Sequence, residues 1–306
     1  MQTTSHILMI RPVRFGYNPE TAVNNAFQQA PNEEAAVIQQ KALVEFDGFV
    51  DLLRKNGVDV TVVQDTDTPH TPDSIFPNNW VSFHADGSIY LYPMFALNRR
   101  QERKPTVLEA IGKKFEVKTK HDLTGYENES GFLEGTGSMV LDRENKIAYA
   151  CLSERTHPEV LQSFCEISGY RPVAFYALDQ EGKPIYHTNV MMCVADKYVV
   201  ICLDALPDPT EKELVRSVIL ASGKEILEID LNQMNHFAGN MLQIANQDGE
   251  KLLVMSSQAF HSLHPAQVEK LSSYNRILHA PLDSIEANGG GSARCMMAEI
   301  HNPTLQ

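Results

Sequence analysis

Asn288-Gly289-Gly290-Gly291-Ser292-Ala293-Arg294-Cys295-Met296-Met297-Ala298-Glu299-Ile300 is the stretch around which this chain is organised. Three consecutive glycines open backbone conformations denied to residues with a Cβ and let another molecule approach the main chain closely. They run into Cys295, and the mostly apolar run 296–300 behind it reads as a short buried strand rather than a helix. Cys295 is thus expected where a loop enters a core element, a place that often carries chemistry. Taken alone, a free cysteine is more often a small buried hydrophobe than a nucleophile. The rest of the chain decides between the two.

Working outward, the preceding segments repeat one grammar. Strand-like runs at 79–84 and 88–92 flank a hairpin signal, Ala85-Asp86-Gly87, and lead to a helix over about 103–112 and a strand at 115–119. The pattern returns with strands 137–141 and 146–152, a helix from Pro158 stopped at Gly169, and strand 172–176. It returns again with 187–194, 198–203, a helix over about 209–222 and 224–229, and once more with 240–245, 252–256, a helix after His264-Pro265 and 276–280. The run at Cys295 begins a fifth unit that only the N-terminal segment can complete: strand 7–12, a long helix over about 33–56 stopped at Gly57, and strand 58–64. Five ββαβ units predict an α/β fold of five-fold pseudosymmetry, one domain over residues 1–306, its ring closed by pairing the two chain ends. Asn79, Glu134, His187, Asn240 and Cys295 mark equivalent places near the start of each unit, 55, 53, 53 and 55 residues apart. Equivalent places in a circular array converge on one axis. A thiol, an imidazole, a carboxylate and two amides meeting there favour the nucleophile reading of Cys295.

Composition narrows the function. At 306 residues, 43% hydrophobic and 21% charged, the chain can bury a large core. A net charge of −13 repels phosphate backbones and anionic membranes, so neither nucleic acid nor membrane is an expected partner. The N-terminus lacks a basic and apolar secretory signal, and no apolar run reaches membrane-spanning length, which predicts a cytoplasmic protein. Five cysteines, an odd number, predict free thiols rather than structural disulfides. His261 and His264 have no thiol or carboxylate neighbour to complete a metal set, and the glycines lack the Lys-Ser/Thr of a phosphate loop. No metal and no cofactor are expected. A homo-oligomer is compatible with everything so far.

The motifs, in their order, resemble the guanidino-group modifying enzymes, which include arginine deiminases, dimethylarginine dimethylaminohydrolases and amidinotransferases. Pro72-Asp73-Ser74-Ile75-Phe76-Pro77-Asn78-Asn79 resembles that family's Pro-Asp-Ser-x-Phe-Val-Glu-Asp segment, and Leu133-Glu134-Gly135-Thr136-Gly137 its Glu-Gly-Gly-Asp segment. Ser153-Glu154-Arg155-Thr156 resembles its Ser-x-Arg-Thr, His187-Thr188-Asn189 its His-x-Asp, and 289–296 its glycine loop and nucleophilic cysteine. Phe76-Pro77-Asn78-Asn79-Trp80 and the segment 289–295 look most like the bacterial citrulline-utilisation hydrolase, or arginine-deiminase-related, branch.

The resemblance implies a pentein-like α/β propeller and assigns roles. Cys295 would attack the planar carbon of the substrate as thiolate, and His187 would protonate the departing amine and then activate water. Glu134 would orient His187 or hold a head-group nitrogen. Arg155, or Arg99 in Leu97-Asn98-Arg99-Arg100, would fork the α-carboxylate of an amino-acid substrate, and Asp73 would take its α-ammonium or a head-group nitrogen. Where arginine deiminases carry Asp, this chain has Asn79 and Asn189. A buried guanidinium needs countercharge, whereas a neutral ureido group needs amide donors and acceptors. Citrulline, hydrolysed to ornithine, ammonia and carbon dioxide, is therefore expected ahead of arginine deimination and amidino transfer. The non-enzyme alternative is a binding scaffold of the same fold. Candidate lids are 18–32 and 126–131.

Overall fold

A computed structural model describes residues 1–305. Its strands form five separate three-stranded sheets, none of which closes on itself. Each has an antiparallel pair, formed by a hairpin in the first four, and a third strand, reached through a helix, that joins the middle one in parallel. The first sheet joins Val81–Phe83, Ser88–Leu91 and Thr119–Asp122. The second joins Val140–Asp142, Ile147–Cys151 and Arg171–Phe175; the third, Met192–Val194, Tyr198–Ile201 and Glu225–Glu228; the fourth, Leu242–Ala245, Lys251–Ser256 and Arg276–Ala280. The fifth is shared between the chain ends: His6–Arg11 pairs antiparallel with Ala298–Glu299, Ile7 opposite Glu299, and parallel with Asp59–Gln64, Ile7 opposite Val60.

Middle strands such as Ile147–Cys151 and Tyr198–Ile201 are buried along their whole length, which is why they read as unbroken apolar runs rather than alternating ones. Helices cover them. Pro105, Pro158, Pro209 and Pro265 each begin one, where the missing N–H costs nothing. The longest, Ala35–Lys55, buries Ile38, Ala42, Phe46, Phe49 and Leu53 at helical spacing. Hydrophobic clusters show how the sheets adjoin. One cluster joins the first sheet to the second through Tyr90, Tyr92, Leu141 and Ala148, and another spans the second, third and fourth. The fifth sheet packs on the fourth through Met9 and Val254, and on the first through Leu8, Ile10 and Phe83.

Three expectations are corrected. The strand placed at 115–119 lies at Thr119–Asp122, whose exposed residues hide it from an apolar pattern. Phe115 is a buried anchor that bridges to Thr304, and Glu116 N–H donates to the Pro303 carbonyl, so the C-terminal tail takes these hydrogen bonds. Helices Ser257–Ser262 and Asp283–Gly289 were not foreseen, being too short to show a period. The strand at 296–300 shrinks to Ala298–Glu299, and Cys295 sits in a turn closed by its N–H on the Ser292 carbonyl at 3.0 Å. The other markers likewise fall on helical turns just before the strands. Asn79 ends the turn Pro77–Asn79, Glu134 precedes Gly135–Ser138, His187 precedes Thr188–Val190, and Asn240 closes a turn on Phe237.

Candidate active site

Those turns bring the marked side chains together. Asp73, Asn79, Arg99, Arg155, His187 and Cys295 all line one small cavity of about 10 Å³, room for a single water. His187 Nε2 donates to Glu134 Oε2 at 2.7 Å, and both residues are buried. This bond fixes the proton on Nε2 and leaves Nδ1 as the basic nitrogen. Burial is the largest influence on His187, lowering its pKa to about 4 with help from Arg155 and Arg99 and against Glu134. Burial pushes the Glu134 carboxyl up, but Arg155, His187 and Arg99 together hold it at about 2. At neutral pH the pair is therefore a neutral imidazole donating to a carboxylate.

Cys295 Sγ accepts from Asn240 Nδ2 at 3.2 Å and faces Asn189 Nδ2 at 3.5 Å. The other four cysteines are free and buried, their thiols pushed up by burial to between about 11 and 12. Gly137 gives the site its tightness. A Cβ there would stand 2.2 Å from Asn79 Nδ2 and 2.8 Å from His187 Nδ1.

Arg99, named above as a carboxylate fork, is already engaged. Its Nε and Nη2 fork Glu102 at 2.8 and 3.0 Å, and Nη1 donates to Asn79 Oδ1 at 3.0 Å. These bonds occupy its fork and hold Asn79 in place. Arg155 donates from Nη2 to the Thr21 carbonyl at 2.7 Å and from Nε to Asn24 Oδ1 at 2.8 Å, and lies over the Tyr186 ring. Its Nη1 lies 3.6 Å from Glu134 Oε2. Asp73 Oδ2 accepts from Asn18 and Thr21, while Oδ1 has no partner.

Residues 18–29 cover the cavity, as the first of the two candidate lids was expected to do. Asn25 donates to the Gly290 carbonyl, Gln28 to that of Asn288, and Gln29 N–H to that of Ala287. Gly290, at φ 64°, passes so close that a Cβ would lie 2.4 Å from Asn25 Nδ2. The second candidate lid, 126–131, does not line the cavity. Glu127 there pairs with Arg103, away from Cys295. Sequence reasoning missed Asn18, Thr21, Asn24, Asn25 and Tyr186, because loop residues carry no periodic signal. Asn240 stood in register with the other markers but without an assigned role.

Among the described residues, no group of three or more His, Cys, Asp or Glu could hold a metal, and no helix is long and apolar enough to cross a membrane. A family model described as N,N dimethylarginine dimethylhydrolase, eukaryotic, matches residues 11–302. The chain belongs to this family, within the guanidino-group modifying enzymes.

No curated protein matches the sequence significantly. Among solved structures, the fold is similar to apo ArgZ, an arginine dihydrolase from the ornithine-ammonia cycle in cyanobacteria (18% identity, TM-score 0.76). That match covers 98% of this chain and 41% of ArgZ; against the N-terminal domain of ArgZ alone the coverage is 98% and 99%, with 18% identity and TM-score 0.73. A dimethylarginine dimethylaminohydrolase variant carrying an S-methyl-L-thiocitrulline adduct is similar over 97% of this chain and 100% of its own (14% identity, TM-score 0.63). At these identities the likeness concerns the fold.

Proposed function

We propose that this member of the guanidino-group modifying enzymes hydrolyses the C–N bonds of a ureido or guanidino amino acid through a covalent Cys295 intermediate, with citrulline the preferred substrate. The supporting observation is the orientation of Asn79. Arg99 binds its Oδ1, which leaves Nδ2 an unpaired donor on a residue that lines the cavity shared by Cys295 and His187. An N–H donor there suits a ureido carbonyl and opposes a guanidinium, which offers only donors. Charge does not separate the two head groups: the Arg99 fork is taken up by Glu102, Arg155 Nη1 lies 3.6 Å from Glu134, and Asp73 keeps one oxygen without a partner. Five of the eight buried side-chain polar atoms without a partner belong to Asp73, Ser74, Asn78 and Asn79, so unmet hydrogen-bonding capacity is concentrated on the segment expected to hold the substrate.

In this reading the five sheets are blades of a propeller and the reaction sits on its axis. Neutral His187 takes the Cys295 proton through Nδ1 as sulfur bonds to the ureido carbon, then gives it to the departing amine. Water, deprotonated by the same nitrogen, cleaves the S–C bond and returns the proton to sulfur. Citrulline and one water give ornithine and carbamate, which falls apart to ammonia and carbon dioxide. Glu134 stabilises the imidazolium that forms transiently. Asp73 and Arg155 Nη1 are assigned to the α-ammonium and α-carboxylate.

A second reading, arginine carried through two successive hydrolyses, draws on the likeness to proteins named arginine dihydrolases. A product assay across arginine, citrulline, agmatine, methylated arginines and ureido acids, run beside Cys295→Ala, separates the two. Ornithine formed from citrulline with the largest kcat/KM supports the first. Citrulline accumulating from arginine far faster than ornithine forms from citrulline overturns it.

A further inference from the structure

Asn240 is bound on both sides of its amide. Its Oδ1 accepts from the Arg294 backbone N–H at 3.1 Å, and its Nδ2 donates to the Asn189 carbonyl at 2.9 Å and to Cys295 Sγ at 3.2 Å. The side chain is fully buried. Rotating the amide by half a turn would set its oxygen against the Asn189 carbonyl and its NH₂ against the Arg294 N–H, losing every bond at once. The backbone thus dictates that an N–H points at sulfur. Asn189 has no such lock: its Nδ2 and Oδ1 stand 3.5 and 3.9 Å from Sγ, so its amide does not commit to one role.

We infer that Asn240 is a catalytic residue that holds the Cys295 sulfur and stabilises the negative charge it carries as its proton leaves and again when sulfur departs as the covalent intermediate is hydrolysed. The inference rests on Cys295 being the nucleophile. A hydrogen bond to the charged form of a group favours that form, and a rigid, buried N–H does so without reorganising when charge develops. The histidine cannot fill this role, because its Nε2–H is committed to Glu134 and its Nδ1 is needed as a base. Arg294 joins the mechanism only through its backbone; its guanidinium turns away to the Met297 carbonyl and Glu299.

The test is the alkylation of Cys295 by iodoacetamide across pH, followed by mass mapping, in the parent protein, Asn240→Ala and the near-isosteric Asn240→Leu, with thermal melts to confirm folding. We expect the Cys295 alkylation rate at pH 7.5 to fall about tenfold or more in both variants, the loss of one charge-assisted hydrogen bond. The midpoint of the rate profile should move to higher pH, and kcat should fall more than KM changes. A folded variant whose profile coincides with the parent's would overturn the proposal, since a merely structural asparagine would alter stability and leave the profile in place. In the parent itself, the Asn240 side-chain amide resonances should shift when Cys295 is alkylated. Resonances that do not move would overturn the contact without any substitution. If Cys295 of the parent is not labelled ahead of the four other thiols, the nucleophile reading fails, and this inference falls with it.

Discussion

At the scale of single residues, Gly137 makes the sharpest demand. Its backbone is not left-handed, so alanine meets no conformational strain there; the penalty is the contact with Asn79 Nδ2 and His187 Nδ1. Displacing those groups by a fraction of an ångström should lower kcat/KM on the order of a hundredfold in Gly137→Ala, with the melting temperature changed by only a few degrees. Steady-state kinetics beside a melt would check this. His187 gives a pH prediction. Lowered to about 4 by burial, it stays in its active neutral form down to that region. The acid limb of kcat/KM set by this residue should therefore lie near pH 4 rather than near 6.5. Glu134→Gln keeps the hydrogen bond but removes the charge that balances the imidazolium, and kcat should fall about a hundredfold or more. That Cys295, His187 and Glu134 would lie close together was legible from their interval, while their roles rested on the family resemblance. The sequence did not show that Glu102, three residues on, claims the Arg99 fork, because neighbouring charges do not announce whether they pair inward or face solvent.

At the scale of elements, the glycine loop and the segment 18–29 form one closing device. Alanine at position 290 would have to hold φ 64° and clear Asn25 at 2.4 Å, so Gly290→Ala should cost about 1–3 kcal/mol and lift the covering segment. Limited proteolysis would show faster cleavage within 18–29; an unchanged cleavage rate would mean the segment does not depend on this contact. Helix limits were readable wherever proline or glycine wrote them, as at Pro158 and Gly169, with φ 74° at the latter. The strand Thr119–Asp122 was not, because its exposed side chains are those of a loop. The turns that present the catalytic groups were hidden too. At three or four residues each, they are shorter than any period that reveals them.

For the whole molecule, five small sheets in chain order followed from five repeats, and hydrophobic clusters join neighbouring sheets. Stability against pH belongs to this scale. His187 and His301, lowered by burial to about 4, contribute stability above pH 6.5 that is lost as pH falls toward 4. Glu102 and Glu286, raised by burial to about 7, act oppositely: their contribution is present below 4.5 and lost as pH rises toward 7. Below 4.5 the sum turns. Glu134, held at about 2, and Glu299, held low by Arg143 and Arg294 against burial, then lose their contributions as well. The melting temperature should change little between pH 6.5 and 4.5 and drop steeply below, as a series of thermal melts would record.

The sheet shared by the two ends also sets a schedule for biogenesis. On the ribosome, four sheets can assemble as their residues emerge, while the strand His6–Arg11 waits with one edge bare for Ala298–Glu299, nearly three hundred residues later. Cys295 lies three residues before that partner strand. Until residue 299 has been made, the first strand keeps an open edge, and the thiol lacks the surroundings it has in the folded protein.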